Sequence, residues 1–286
     1  MMPQIQSFFD TTTASWTHVV WDGASNHAAI IDPVLDYDPY SGRTGTSSAD
    51  RLIEFVRNER LDVKYILETH AHADHLTAAQ YLKEQLGGIV AIGDGIRSVQ
   101  KTFRDVFNLG REFPADGSQF DRLLQQGEHL VLGQLEIEVI ATPGHTDDSI
   151  SLRIENAVFI GDTMFSPGYG TARCDFPGGN AGSLYRSICQ LLSFNADTRL
   201  YLCHDYPKEG DQPLACVSVA EQRQHNIHVH AGISEDDFVS MRESRDATLN
   251  LPRLLLPAVQ FNIRAGRVPD AEENGVSYLK IPLNQL

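Results

Sequence analysis

The segment Thr69-His70-Ala71-His72-Ala73-Asp74-His75 puts three imidazoles and a carboxylate directly after the apolar run Val63-Lys64-Tyr65-Ile66-Leu67. A strand ending in such a cluster presses ionisable groups against a hydrophobic interior, where each needs a compensating partner. Imidazole with carboxylate is a ligand set for zinc or iron. The chain is therefore expected to fold around a metal.

The 286 residues, 42% of them hydrophobic, suffice for a large core. No repeat, low-complexity tract or Pro/Gly/Ser-rich linker divides them, so a single domain over 1–286 is expected, with an α-rich C-terminal part from about 207 to 286. A formal net charge of -15 and the absence of a Lys/Arg-rich run argue against nucleic-acid or anionic-membrane partners. The segment Met1 to Ser7 lacks the cationic-then-apolar order of a leader, and no run approaches the roughly 18 apolar residues of a membrane span. A cytoplasmic protein is expected. Cys174, Cys189, Cys203 and Cys216 form no CxxC pair and read as reduced, packed thiols; Cys174 and Cys203 stand out beside Arg173 and His204.

The spacing predicts strands over Trp16–Trp21, Ala28–Ile31, Val63–Leu67, Leu135–Val139, Ser149–Ile154, Ala157–Ile160 and Arg199–Cys203. A helix is predicted from Ala49 to Arg60, and Ser234 starts another that runs to about Leu249. Asp74 is read as a cap for a helix carrying Leu76, Ala79, Leu82 and Leu86, which Gly87-Gly88 ends. Four predicted strands thus end near a histidine or aspartate: His70, His145, Asp162 and His204. Strand ends on one edge of a sheet can converge on one site. His225, His228 and His230 have no Cys or Asp partner at ligand spacing and read as a solvated helix end.

Taken singly, each of these residues reads as a satisfied core histidine or a helix cap. Together, His70, His72, Asp74, His75, His145, Asp162 and His204 match the ligand pattern of the metallo-β-lactamase superfamily, which the chain resembles from about Asp32 to His204. The resemblance implies an α/β fold, the αββα four-layer sandwich, with the metal site at one edge between two sheets. Asp32, in Ile30-Ile31-Asp32-Pro33, is similar to the family's strand-end aspartate, which accepts a proton from a ligand imidazole; a turn aspartate before proline is the other reading.

The fold hosts hydrolases, oxygenases and nucleases. Arg173-Cys174-Asp175-Phe176, Leu184-Tyr185-Arg186-Ser187-Ile188, His204-Asp205-Tyr206 and Phe261-Asn262-Ile263-Arg264-Ala265-Gly266 resemble elements of the persulfide dioxygenase group. That resemblance implies oxidation of glutathione persulfide by O₂ to sulfite and glutathione. It also implies one Fe(II) on His70, His145 and Asp162, with His72, Asp74, His75 and His204 behind that site or forming a second metal position. Arg173, Arg264 and Tyr206 are then the expected substrate contacts, since glutathione is anionic. Ala265 stands where the group often has cysteine. The intact ligand set is equally that of a dinuclear zinc thioester hydrolase of the glyoxalase II type, holding two Zn(II). A homodimer is compatible with the chain, and Asp36–Ser48 and Ile96–Phe120 read as insertions that cover the pocket or form a subunit contact.

Overall fold

The structure, a computed structural model, describes residues 2–285. The chain opens with β1 (Gln4–Asp10), β2 (Ser15–Trp21) and β3 (His27–Ile31), then the hairpin β4 (Val34–Asp38) and β5 (Arg43–Gly45) and helix α1 (Ser47–Asn58). It continues through β6 (Asp62–Leu67), β7 (Leu76–Thr77), α2 (Ala79–Leu86), β8 (Ile89–Gly93), α3 (Ile96–Val106) and β9 (Arg122–Leu124). The second half runs β10 (His129–Leu132), β11 (Leu135–Ala141), β12 (Ile150–Ile154), β13 (Ala157–Phe159), α4 (Ala181–Leu192) and β14 (Arg199–Tyr201). It closes with β15 (Cys216–Ser218), α5 (Val219–His225), α6 (Glu235–Asp246) and α7 (Leu255–Asn262).

Two six-stranded sheets form, ordered β1-β2-β3-β6-β8-β9 and β10-β11-β12-β13-β14-β15. Their facing sides share one core, in which Val20, Ile31 and Leu67 meet Leu130, Ile137, Leu152 and Phe159. The outer face of the first sheet is covered by α1, α2, α3 and α7 through Leu52, Leu82, Val99 and Val259. Ile188 of α4, Val219 of α5 and Phe238 of α6 pack on Val158 and Leu200 of the second. The expected αββα sandwich is present. Three separate apolar layers arise because each sheet buries both faces, and β6 accordingly pairs in parallel with both β3 and β8.

Several local predictions need correction. The helix after the histidine motif starts at Ala79, with no side-chain cap, because Leu76-Thr77 pairs with Val34-Leu35 as a strand. Asp74 is therefore free of capping duty. Residues 36–48 make the β4–β5 hairpin and the start of α1, and residues 96–120 make α3 and a loop packed on the first sheet. Helix α6 ends at Asp246 and is capped by Ser234, whose Oγ accepts from the Asp237 amide. Among the described residues no helix is long and apolar enough to cross a membrane.

Candidate metal centre

Strands β11 and β13 run the same way, since each is antiparallel to β12, and β14 is parallel to β13. Their C-terminal ends consequently emerge on one edge, where His145, Asp162 and His204 follow them. The loop after β6 brings His70, His72, Asp74 and His75 to the same edge from the other sheet. Two glycines make this approach feasible. Gly144 has φ +141, and a Cβ there would lie 2.2 Å from the Leu184 amide nitrogen; Gly161 has φ +50, and its Cβ would meet Thr69 Oγ1 at 2.7 Å.

All seven residues meet in the structure. His70, His145 and Asp162 form one set, and His72, Asp74, His75 and His204 another. Asp162 belongs to both: Oδ2 lies 3.8 Å from His70 Nε2 and 3.7 Å from His145 Nε2, while Oδ1 lies 3.4 Å from His204 Nε2. His70 Nε2, His72 Nδ1, Asp74 Oδ1, His75 Nε2, Asp162 Oδ1 and His204 Nε2 are all buried without a hydrogen-bond partner. Asp74 Oδ2 approaches His204 Nε2 to 3.0 Å, but that ring nitrogen makes no hydrogen bond of acceptable direction, as expected of two donors turned toward one centre. Six orphaned donor atoms in one place are costly unless a cation satisfies them. The residues therefore fit a metal, at His70, His145 and Asp162, with donors for a second on His72, Asp74, His75 and His204.

The opposite ring nitrogens are held. His145 Nδ1 donates to the Arg173 carbonyl at 2.7 Å, and His204 Nδ1 faces Ala14 O and Ser15 Oγ. His72 Nε2 lies 3.0 Å from Asp32 Oδ1, and the Asp32 carboxylate also accepts from Thr69 N and Thr69 Oγ1. Asp32, with a left-handed backbone at φ +52, faces the His72 imidazole. Burial alone would lower the His72 pKa, but Asp32 and Cys203 together push it well up. Desolvation lowers His70 well below the ordinary range, and desolvation with the charge of His72 lowers His75. Burial opposes charge on Asp74, yet His204 and His75 hold its carboxyl well down. Asp74 as a carboxylate and His70 and His75 as neutral imidazoles are in the forms that bind metals, whereas burial of His204 is overcome by Asp162, Asp74 and other neighbours, which hold it, like His72, well up.

A cavity of about 360 Å³ opens onto His145, Asp162 and Asp74. Phe165, Tyr169, Phe176 and Tyr206 give it aromatic walls, with Tyr206 stacked on Tyr169 at 4.4 Å between ring centroids. Tyr206 is exposed at the cavity mouth, and desolvation of its hydroxyl pushes its pKa up. Arg173 lines the cavity, but its guanidinium is committed: Nε and Nη2 bind Asp175 at 2.6 Å each and Nη1 binds Asn250 O. It closes the wall onto the α6–α7 connection instead of presenting free donors. Arg264 is not at this site. It lines a different cavity, stacked over Phe113 with its Nη1 on Gln260 O. Neither expected insertion lines the metal cavity. His228, expected in solvent, is buried and accepts from the Thr171 amide, while His225 and His230 are exposed. Cys203 is buried within ligand range of His72, Asp32, Asp162 and His204, and burial raises its pKa.

Some functional neighbours escaped the sequence reading. Glu68 is buried, accepts from Thr77 Oγ1 and sends Oε2 to within 3.5 Å of His72 Nε2. Its position as a charge at the end of an apolar run was a usable signal. Asp148 accepts from the Ala71 amide, and Asn262 donates to the His72 and His75 carbonyls. Arg245 lines the cavity with no ion pair or side-chain hydrogen bond among the described residues.

The sandwich and its ligand set define a metal-dependent enzyme. The sequence profile of the Metallo-beta-lactamase superfamily matches residues 10–204, and the chain belongs to that superfamily. It is 51% identical to a protein of Burkholderia pseudomallei (strain 1710b) named a probable metallo-hydrolase, across 99% of both chains. Glyoxylase B2 of Dictyostelium discoideum is 46% identical over 99% of this chain and 98% of that protein. The mitochondrial persulfide dioxygenase ETHE1 of Bos taurus is 27% identical over 92% of this chain and 88% of its own. The crystal structure of ETHE1 from Myxococcus xanthus aligns with a TM-score of 0.74 at 31% identity, covering 93% of this chain and 100% of that one.

Proposed function

We propose that the protein is a persulfide dioxygenase that converts glutathione persulfide, O₂ and water to glutathione and sulfite, with one Fe(II) on His70, His145 and Asp162. The observation that carries this reading is the union of a two-histidine, one-carboxylate set with an aromatic cavity opening on His145 and Asp162. Likeness to ETHE1 along nearly the whole chain, including the α-rich part that roofs the cavity, supports it. Held by His70, His145 and Asp162, Fe(II) would supply the redox chemistry that lets O₂ oxidise the persulfide sulfur.

The chain's own residues do the rest. His145 is locked by Arg173 O in the tautomer whose Nε2 lone pair faces the site. The aromatic walls keep water from the reacting sulfur, and the Tyr206 hydroxyl offers a proton donor at the cavity mouth. Arg245 of α6 replaces Arg264 as the cation for a glutathione carboxylate, because its donors are uncommitted and it borders the cavity. Metal analysis of anaerobically purified protein with oxygen uptake on glutathione persulfide tests the reading. About one iron per chain and persulfide-dependent sulfite are expected; iron-loaded protein making no sulfite would overturn it.

A second reading, a dinuclear zinc thioester hydrolase, is favoured by the orphaned donors of Asp74, His75 and His204 and by the likeness to Glyoxylase B2. It requires two metals per chain and activity without oxygen.

A further inference from the structure

Arg264 is half-buried, and among the described residues no carboxylate lies within ion-pair distance of it. Its Nη1 binds Gln260 O at 2.5 Å and its guanidinium lies 4.8 Å from the centre of the Phe113 ring; among the described residues Nε and Nη2 have no partner. Desolvation lowers its pKa, with only the more distant Asp270 opposing. A cation stripped of water without a counter-ion is unfavourable, and planar guanidinium suits a carboxylate. The space before it is a cavity of about 400 Å³ that shares no lining residue with the metal cavity.

Both signs of charge border this cavity without an ion pair among the described residues. Arg267 and Lys280 accompany Arg264, facing Glu112, Asp270 and Glu272, and of these the Lys280 ammonium donates to the Asn108 carbonyl. The walls are fastened rather than loose. Gln260 donates to Lys280 O and accepts from Lys280 N, which staples the C-terminal segment down. Gln119 donates to Pro114 O and accepts from Gln100, which also binds Ile263 O. Charges of opposite sign held apart around a fixed cavity of small-molecule size match a dipolar ligand.

We propose that this cavity is a second binding site, for a small zwitterion such as an amino acid or short peptide, with its carboxylate on Arg264 and its ammonium toward Asp270 and Glu112. Arg264 follows Asn262 by two positions, and Asn262 holds the carbonyls of His72 and His75.

Calorimetry on the full metal-loaded chain tests this with L-glutamate, other free amino acids and glutathione, against glutarate as a carboxylate without ammonium. Saturable binding of at least one zwitterion is expected, weakened about tenfold or more in Arg264→Ala and Asp270→Asn and unchanged in Arg245→Ala, which alters the metal cavity but keeps the metal. Arg264→Lys, which keeps the charge and the packed stem, should weaken it less. No saturable zwitterion, binding that survives Arg264→Ala and Asp270→Asn, glutarate binding equally well, or loss in Arg245→Ala would each overturn the proposal.

Discussion

The side-chain amide of Asn262, at the end of α7, donates to the main-chain carbonyls of both His72 and His75 at 2.8 Å, and its Oδ1 accepts from the Thr77 amide at 2.9 Å. One buried residue far along the chain thereby sets the path of the metal-binding loop. Asn262→Ala leaves two carbonyls and an amide unsatisfied, a cost of about 3 kcal/mol in all. A lower melting temperature and reduced metal retention on dialysis are expected, with Asn262→Asp worse than Asn262→Gln.

Asp32 orients His72 through a 3.0 Å contact and is itself held by Thr69. Replacing it with asparagine removes the charge while keeping the shape. Metal affinity is expected to fall about 10- to 100-fold, read by competition with a chelator. Unchanged affinity would deny Asp32 that role.

His145 and Arg173 touch through one hydrogen bond but do different work. His145→Ala should lose bound metal and turnover together. Arg173→Ala breaks the pairs to Asp175 and Asn250 O but leaves the carbonyl that holds His145, so metal stays and KM rises. Lysine cannot reproduce the bidentate pair, so Arg173→Lys is expected to resemble the alanine variant.

Arg245 borders the metal cavity without an ion pair. Under the dioxygenase reading, Arg245→Ala should raise KM for glutathione persulfide about tenfold and leave kcat and iron content alone. Equal kinetics in steady-state oxygen uptake would place the anionic contact elsewhere.

His18 is fully buried among Phe159 and Tyr201, and desolvation lowers its pKa to about 4. Unfolding returns the imidazole to about 6.5, so below that pH the unfolded chain takes a proton that the folded chain refuses. Stability is present above pH 6.5 and is lost as pH falls toward 4, by about 3 kcal/mol from this group. His18→Gln should flatten the fall in melting temperature between pH 6.5 and 4.

Ligands and strands were legible from local order. Val63 to Leu67 is apolar and β-rich because β6 is buried on both faces, and His70 follows it within a few residues whatever else the chain does. The short helix α2 was misplaced because Leu76-Thr77 fits a helical period as well as a strand, and only pairing with Val34-Leu35 settles it. Arginine roles were the least legible. Guanidinium chemistry is the same in Arg173, Arg245 and Arg264, and a side chain's partner is decided by what the fold sets beside it.

The sequence by itself determined the metal-ligand types, the superfamily and the strand ends that carry them, since these depend on residue identity and near-neighbour spacing. Tertiary structure alone decided that Asp162 faces both ligand sets, that Asp74 points inward instead of capping a helix, and that Asn262 clamps the histidine loop. The same is true of Arg264, which belongs to a separate cavity. Those are contacts between segments distant in sequence, and they exist only once two sheets and their covering helices have packed.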